Sequence, residues 1–451
     1  MSTRTLIGDL HDHSGETVHI SGWVDVRRDH GKLIFLDIRD RSGKVQVVVL
    51  TNHAEALQVA QELRSEWVVR IEGVVNERPE KMRTEGQNGT LELEAFSIEV
   101  LSHSAELPFD KDAEINLDTL LNNLPLALRF ERMRTIFTAQ AKIIKAFRDA
   151  LTNKDFIEFQ SPAIVGGDAE GGAAVFPVEY YYGKKAYLAS SPQLYKQIMV
   201  GALERVFTTP KVFRAEKSAT TRHLSEYSSL DFEMGFIHDH TDVMRVVEEV
   251  VRAMVRSVPE EVFSILSTEE PSLPSESFPT MKLREAQELI LKETGTDKRD
   301  EPDLEPEDEK WLCAWAKREK GSDFIFITHY PVSKRPFYVY EDEKDPGFTK
   351  SFDLLFRGLE ISTGGQRIHD HDMLVEKVRA RGLDPEKFSF YLQSFKYGMP
   401  PHGGAAIGLE RFTARLLNIP NVKEAAVFPR DINRIDILLH GTESENAGEQ
   451  L

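Results

Sequence analysis

Two short segments, far apart in the chain, constrain the fold more tightly than any bulk property. The first is Phe213-Arg214-Ala215-Glu216, followed by Thr221-Arg222-His223-Leu224 and Asp231-Phe232-Glu233. It reads as a strand carrying an arginine, a polar loop and a returning strand. The second is Gly403-Gly404-Ala405-Ala406-Ile407-Gly408-Leu409-Glu410-Arg411-Phe412, a glycine-rich strand running into a helix that carries another arginine. Both suit an antiparallel sheet. Arginine fits both places for one reason: its planar fork binds phosphate oxygens and also stacks on a flat base.

This ordered pair resembles the second and third signature motifs of the class II aminoacyl-tRNA synthetases. A lone FRAE or GLER run carries little information, whereas the pair in matching context is specific. A third segment is weaker. Thr135 to Thr152 has Ile136, Ala139, Ile143, Ala146, Phe147 and Ala150 on one side of a helix, and leads into Phe156-Ile157-Glu158-Phe159-Gln160-Ser161-Pro162. It resembles the first motif of the family, which forms the dimer interface there, so a homodimer is expected.

The resemblance implies ATP bent between the two segments. Arg214 is then the group for the α-phosphate, with Arg222 and His223 reaching the outer phosphates and Glu216 near the adenine amine. Arg411 contacts the γ-phosphate and one adenine face, beside Gly408, and Tyr227 takes the other face. Arg214 and Arg411 are the expected catalytic pair. Asp353, Glu360 and Thr363, on two successive strand-like runs, are the expected ligands of Mg2+, which needs few protein oxygens. Activation of an amino acid by ATP rests on positioning and charge neutralisation, so it needs no nucleophilic side chain.

Two further runs narrow the amino acid. Ser191-Pro192-Gln193-Leu194-Tyr195-Lys196-Gln197 resembles the aspartyl-tRNA synthetase segment that offers a lysine to the substrate side chain. Gly364-Gly365-Gln366-Arg367-Ile368-His369-Asp370 resembles the one that offers an arginine. Two cations converging on one small pocket suit a side-chain carboxylate, hence L-aspartate. Glu170 and Asp231 are expected at the substrate ammonium, with Gln193 nearby. Asparaginyl enzymes share the scaffold but usually lack a lysine at the position of Lys196. A catalytically silent paralogue that only binds tRNA is the other alternative.

Residues 1 to 103 carry five short alternating strands, Thr17–Val24, Lys32–Ile38, Val45–Leu50, Trp67–Val75 and Thr90–Leu101. A helical stretch, His53 to Leu63, lies between the third and fourth. That order predicts an OB-fold barrel, which binds single-stranded nucleic acid on one face. The runs around Arg28, Phe35 and Gln46 resemble the anticodon-binding face of the same family. Phe35 lies between Ile34 and Leu36, so alternation alone leaves its direction open. Asp25 puts an acid on that face.

The fold class expected is α+β: an N-terminal OB-fold barrel, residues 1–103; a connector, 104–132; a class II antiparallel sheet domain flanked by helices, 133–440; and a polar tail, 441–451. The span from His238 to Ile327 is too short for the inserted domain of typical bacterial aspartyl enzymes, so the catalytic half looks like the compact archaeal-eukaryotic type. Within it, Asp300 to Glu309 reads as a solvated acidic loop.

Composition then excludes alternatives. A chain of 451 residues exceeds one ordinary core. Its single cysteine, Cys313, rules out an internal disulfide or a cysteine-based zinc site and makes a cytoplasmic setting the default. No apolar run or N-terminal signal core suggests a membrane. A formal charge of −18 argues at first against nucleic acid, but local basic patches matter more than the total. The activity expected is aspartate–tRNA ligation, with ATP and Mg2+, on tRNA-Asp and with tRNA-Asn as a second candidate.

Overall fold

The computed structural model describes residues 3–31, 33–109, 115–167, 174–217 and 220–435. The chain divides into two compact units, Met1–Glu114 and Ile115–Leu451.

The first unit is a closed barrel. Its strands are β1 (Thr17–Asp29), β2 (Leu33–Arg39), β3 (Lys44–Leu50), β4 (Val68–Glu77) and β5 (Leu91–Ser102), in the order β1-β2-β3-β5-β4. Helix α1 (Ala54–Glu62) follows β3, as the OB order requires. Inward positions are aliphatic: Val18, Ile20 and Val24 on β1 face Ile34, Leu36 and Ile38 on β2. A bulge between Val24 and Val26 lets β1 run on to Asp29, past the expected end at Val24. Ile7 and Leu10, on a short 3-10 turn, complete the core.

The second unit begins with helices in the span expected as a connector. These are α2 (Leu117–Asn122) and α3 (Leu124–Ala127), and Leu124 and Ala127 belong to the core of this unit. Helix α4 (Glu131–Thr152) buries Ile136, Ala139, Ile143, Phe147 and Leu151, while Ala146 and Ala150 pack at its margin. Next come β6 (Ile157–Glu158), a small sheet of β7 (Ile164–Val165), β8 (Pro177–Glu179) and β9 (Lys185–Leu188), and helix α5 (Gln193–Leu203). Strands β10 (Arg205–Thr208), β11 (Lys211–Phe213) and β12 (Glu226–Gly235) precede α6 (His240–Arg256) and α7 (Glu260–Ile265). The remainder is β13 (Thr280–Lys282), α8 (Leu283–Thr294), α9 (Pro306–Lys320), β14 (Phe324–Thr328), β15 (Ser351–Phe356), β16 (Leu359–Arg367), α10 (His371–Ala380), α11 (Ser389–Lys396), β17 (His402–Gly408) and α12 (Leu409–Leu416).

Nine strands form one sheet along the path β13-β14-β15-β16-β17-β12-β10-β6, with β11 paired to β12. Only the end pairs β13·β14 and β10·β6 are parallel. Helices α4 and α6 cover one face, where Phe232, Phe324, Phe352 and Phe356 are buried with them. The opposite face carries the polar cleft.

The acidic stretch has exposed acids and is not helical up to Glu305, as expected, and departs from expectation beyond it. Pro306 opens α9, capped by Glu305, whose backbone N–H donates to Asp308 at 2.9 Å. Asp308 and Glu309 are buried, not solvated. Proline at the first helical turn and acids beside the positive helix end explain the helix. The tail 441–451 lies outside the described residues.

Candidate active site and nucleic-acid face

A cleft of about 660 Å3 opens on the polar face of the large sheet. Its floor is made where β12 lies between β17 and β10. On β12, Asp231 and Glu233 are two residues apart and so share one face. The neighbouring β17 makes room for them. A Cβ at Gly404 would lie 2.2 Å from both Phe232 O and Glu233 Oε2, so only glycine lets the acid cross that strand.

The inner end is a closed charge network. Lys196, on α5, donates to Asp231 Oδ2 at 2.9 Å and to Ala405 O at 3.3 Å, with Glu233 Oε2 also 3.3 Å away. Arg367, at the end of β16, donates through Nε to Glu233 Oε1 at 2.9 Å and through Nη2 to Gly404 O at 2.9 Å. Gln193 Oε1 stands 3.5 Å from Arg367 Nη2. Ser229 donates to the second oxygen of Asp231. Burial pushes the Glu233 carboxyl up, yet Arg367 and Lys196 outweigh it and hold it below the usual range. Behind it, His402 accepts from Gln197 at 2.9 Å and its Nδ1 meets Pro400 O at 2.9 Å. Burial lowers the His402 pKa to about 4, so its ring is neutral.

The outer end is looser. Arg214 follows β11, and its guanidinium lies 5.8 Å from the Tyr227 ring centroid and 3.8 Å from Glu216. Arg222 donates to Glu309 at 2.8 Å. Burial, then Arg411, lowers the His223 pKa. Arg411, on α12 just after Gly408, approaches Glu360 at 3.9 Å. Thr363 donates to Glu360 at 2.7 Å.

Of the residues singled out from sequence in this unit, Gln193, Lys196, Arg214, Glu216, Arg222, His223, Tyr227, Asp231, Glu360, Thr363, Arg367, Gly408 and Arg411 all line this one cleft. Glu170 lies outside the described residues. Asp353 stands apart: it is buried beneath the lining and accepts from Arg335 at 2.8 Å. Burial and the nearby Glu360 carboxylate push the Asp353 pKa up to about 6 despite Arg335. Among the groups missed are Glu233, Arg335 and Glu309. Glu233 had a readable signal, the two-residue spacing from Asp231. Arg335 and Glu309 had none, since each reaches the site from an otherwise unrelated segment.

In the barrel, Arg28, Phe35 and Gln46 share one outward face. Arg28 pairs with Phe35 across β1 and β2, and Asp37 pairs with Gln46 across β2 and β3. Arg28 grips Asp37 with two 2.8 Å bonds and lies 3.5 Å from Gln46. Ile34 and Leu36 are in the core, so Phe35 points outward, half-buried, its edge against His30 at 5.5 Å. Asp25 sits 3.5 Å from Lys44.

These two sites coincide with two known families. Residues 18–101 match the OB-fold nucleic acid binding domain. Residues 116–432 match the tRNA synthetases class II (D, K and N). An aspartate–tRNA(Asp/Asn) ligase of Thermus thermophilus is 44% identical, over 96% of this chain and 99% of the relative. An aspartate–tRNA(Asp) ligase of Pyrococcus abyssi is 39% identical, over 94% and 96%. Among solved structures, asparaginyl-tRNA synthetase from Pyrococcus horikoshii complexed with asparaginyl-adenylate superposes with a TM-score of 0.87 at 31% identity, covering 96% of this chain and all of that one. No described helix is long and apolar enough to cross a membrane. With its signature segments meeting in one cleft and the family match running from residue 116 to 432 of the larger unit, the chain belongs to the class II tRNA synthetases of the D, K and N group, and it is an aminoacyl-tRNA ligase.

Proposed function

We propose that the chain activates L-aspartate with ATP and transfers it to tRNA-Asp. The observation that carries this reading is the pair of buried cations, Lys196 and Arg367, converging on the inner end of the cleft. Both are already neutralised, by Asp231 and Glu233. Binding is therefore an exchange of partners. The substrate ammonium takes Asp231 from Lys196, and the substrate side-chain carboxylate takes the released Lys196 and Arg367. Asparagine brings donors where donors already stand and would leave buried charge unpaired. Glu233 stays with Arg367 throughout and fixes its direction. Glu170 is assigned to the ammonium as well.

At the outer end the triphosphate bends across the sheet. Arg214 meets the α-phosphate and neutralises charge that grows as the aspartate carboxylate attacks in line. Arg222, His223 and Arg411 hold the outer phosphates. Tyr227 and Arg411 flank the adenine, with Glu216 at its amine. Glu360 and the Thr363 hydroxyl, hard oxygen donors on the cleft lining, would hold Mg2+, with Asp353 buried behind them beside Arg335 as the further carboxylate. Bound there, the ion would neutralise the triphosphate. The aspartyl group then passes to the 3′-hydroxyl of the terminal adenosine of tRNA.

The anticodon is read on the barrel face that carries Phe35, Arg28 and Gln46. A homodimer is supported by exposed Ile157 on β6, the last strand of the sheet, and by exposed Ile164 on β7. A soluble, cytoplasmic enzyme is the assignment that goes with this reading. Aspartate-dependent against asparagine-dependent pyrophosphate exchange tests the amino acid, and charging of purified tRNA-Asp and tRNA-Asn tests the RNA. Preference for asparagine would overturn the aspartate assignment. Relatives named for tRNA(Asp/Asn) and for tRNA(Asp) alone make the second assay the decisive one for tRNA-Asn.

A further inference from the structure

Helix α9 lies between the signature segments in sequence and touches the lining of the cleft through Glu309. Glu309, in its first turn, is almost fully withdrawn from solvent and accepts from Arg222 Nη2 at 2.8 Å. Arg222 belongs to the loop between β11 and β12 and lines the cleft. Its backbone is tied down on the far side. Val422 N donates to Thr221 O at 2.9 Å, and Arg411 Nε lies 3.4 Å from Arg222 O. Among the described residues Glu309 is the only acceptor holding the Arg222 guanidinium.

The surroundings are crowded with positive charge. Arg214, Arg222 and Arg411 all act on His223, and Arg415 feels both Arg222 and Glu309. Acids stand among them, Glu216 beside Arg214 and Glu360 beside Arg411, and among the described residues the one that engages Arg222 is Glu309. The bond to Glu309 engages one terminal nitrogen and leaves the rest of the planar fork free to face a phosphate.

We propose that Glu309 is a positioning residue that acts through Arg222, holding the guanidinium on the cleft wall where the outer phosphates of ATP meet it. This rests on the assignment of the outer cleft to ATP and extends it to a helix outside the signature segments.

The test is calorimetric binding of ATP with Mg2+ to the full-length wild type, Glu309→Gln, Arg222→Ala and the double variant, with steady-state pyrophosphate exchange alongside. Glu309→Gln preserves size and removes the charge. Its ATP Kd should rise about tenfold, the scale of weakening one charge-assisted contact. The KM for ATP should rise by the same factor while the KM for aspartate stays put. Arg222→Ala should cost at least as much, and the double variant no more than Arg222→Ala alone. Glu309→Asp, which keeps the charge, should recover part of the loss and serves if the glutamine variant folds poorly. An unchanged ATP Kd in Glu309→Gln overturns the proposal. So does a loss that adds in full to that of Arg222→Ala, or an equal rise in the aspartate KM. Binding of ATP without aspartate-dependent exchange in the wild type would sink the aspartate reading instead, and the binding comparison would still decide the role of Glu309.

Discussion

The two ends of the cleft are built on opposite terms. At the inner end every charge has a buried partner: Lys196 with Asp231, and Arg367 with Glu233. All four come from helix or strand, and each is fully or nearly fully withdrawn from solvent. At the outer end Arg214 and Glu216 keep about two-fifths of their side chains in water, and Arg222 and His223 stand on a loop. The contrast follows what each end is assigned to do. Choosing between two amino acids of nearly equal size needs fixed donors whose mispairing is expensive. Holding a highly charged triphosphate needs several cations that can close around it and let pyrophosphate leave.

The largest expected effect breaks the inner end. Lys196→Leu should lower aspartate activation by a thousandfold or more, on the order of 4 kcal/mol or above. It strands Asp231 and leaves Glu233 to Arg367 alone, so a lower unfolding midpoint is expected as well. ATP binding by calorimetry should stay near the wild-type value. Full aspartate-dependent exchange in this variant would remove Lys196 from substrate recognition.

Arg411→Ala probes the outer end. Adenylate formation should fall by about a hundredfold, the scale of a lost charge-assisted transition-state contact, with little change in folding. Stopped-flow measurement of the activation step checks this. Near-normal rates in a folded protein would place Arg411 outside the chemistry.

His402, behind the inner end, sharpens the comparison through pH. Its pKa is lowered from 6.5 to about 4 by burial. Between those values the unfolded chain binds the proton and the folded one does not, so stability falls as pH drops through that window. From pH 6.5 to 5 the contribution is roughly 1.6 kcal/mol, because the unfolded imidazole is only half protonated at pH 6.5 and the full slope of about 1.4 kcal/mol per unit is reached below that. His402→Gln should flatten the pH dependence of chemical denaturation by that amount. Identical slopes for the two proteins would contradict it.

The smallest effect concerns the barrel. Phe35→Ala should raise the tRNA requirement for aminoacylation about tenfold, since stacking on one base is worth roughly 1–3 kcal/mol. Aspartyl-adenylate formation should be untouched, because Phe35 points outward from a core that Ile34 and Leu36 fill. Equal loss of both activities would mean that the barrel face does not bind RNA through Phe35.

The barrel was legible almost strand for strand, because a pleated strand with one buried face writes its period of two into the sequence. What escaped was the bulge at Val24, which extends β1 toward Asp29. In the larger unit the two signature segments located the cleft, since their residues act within a few positions of one another. The acidic run at Asp300 to Glu309 was read correctly only in its first part, whose acids are exposed and which is not helical up to Glu305. Its composition is that of a solvated loop, but Pro306 and the capping acids start a helix that turns Glu309 inward.

By itself, then, the amino-acid order determined the barrel strands through their period of two, and the class II sheet domain and its cleft-forming segments through the resemblance that two short motifs carry. Only the tertiary structure decided who pairs with whom. Lys196 and Asp231 are separated by 35 positions, Arg222 and Glu309 by 87, and Glu233 and Arg367 by 134. A buried charge takes whichever opposite charge the crossing of strands and helices brings within about 3 Å, and no local pattern along the chain records that choice.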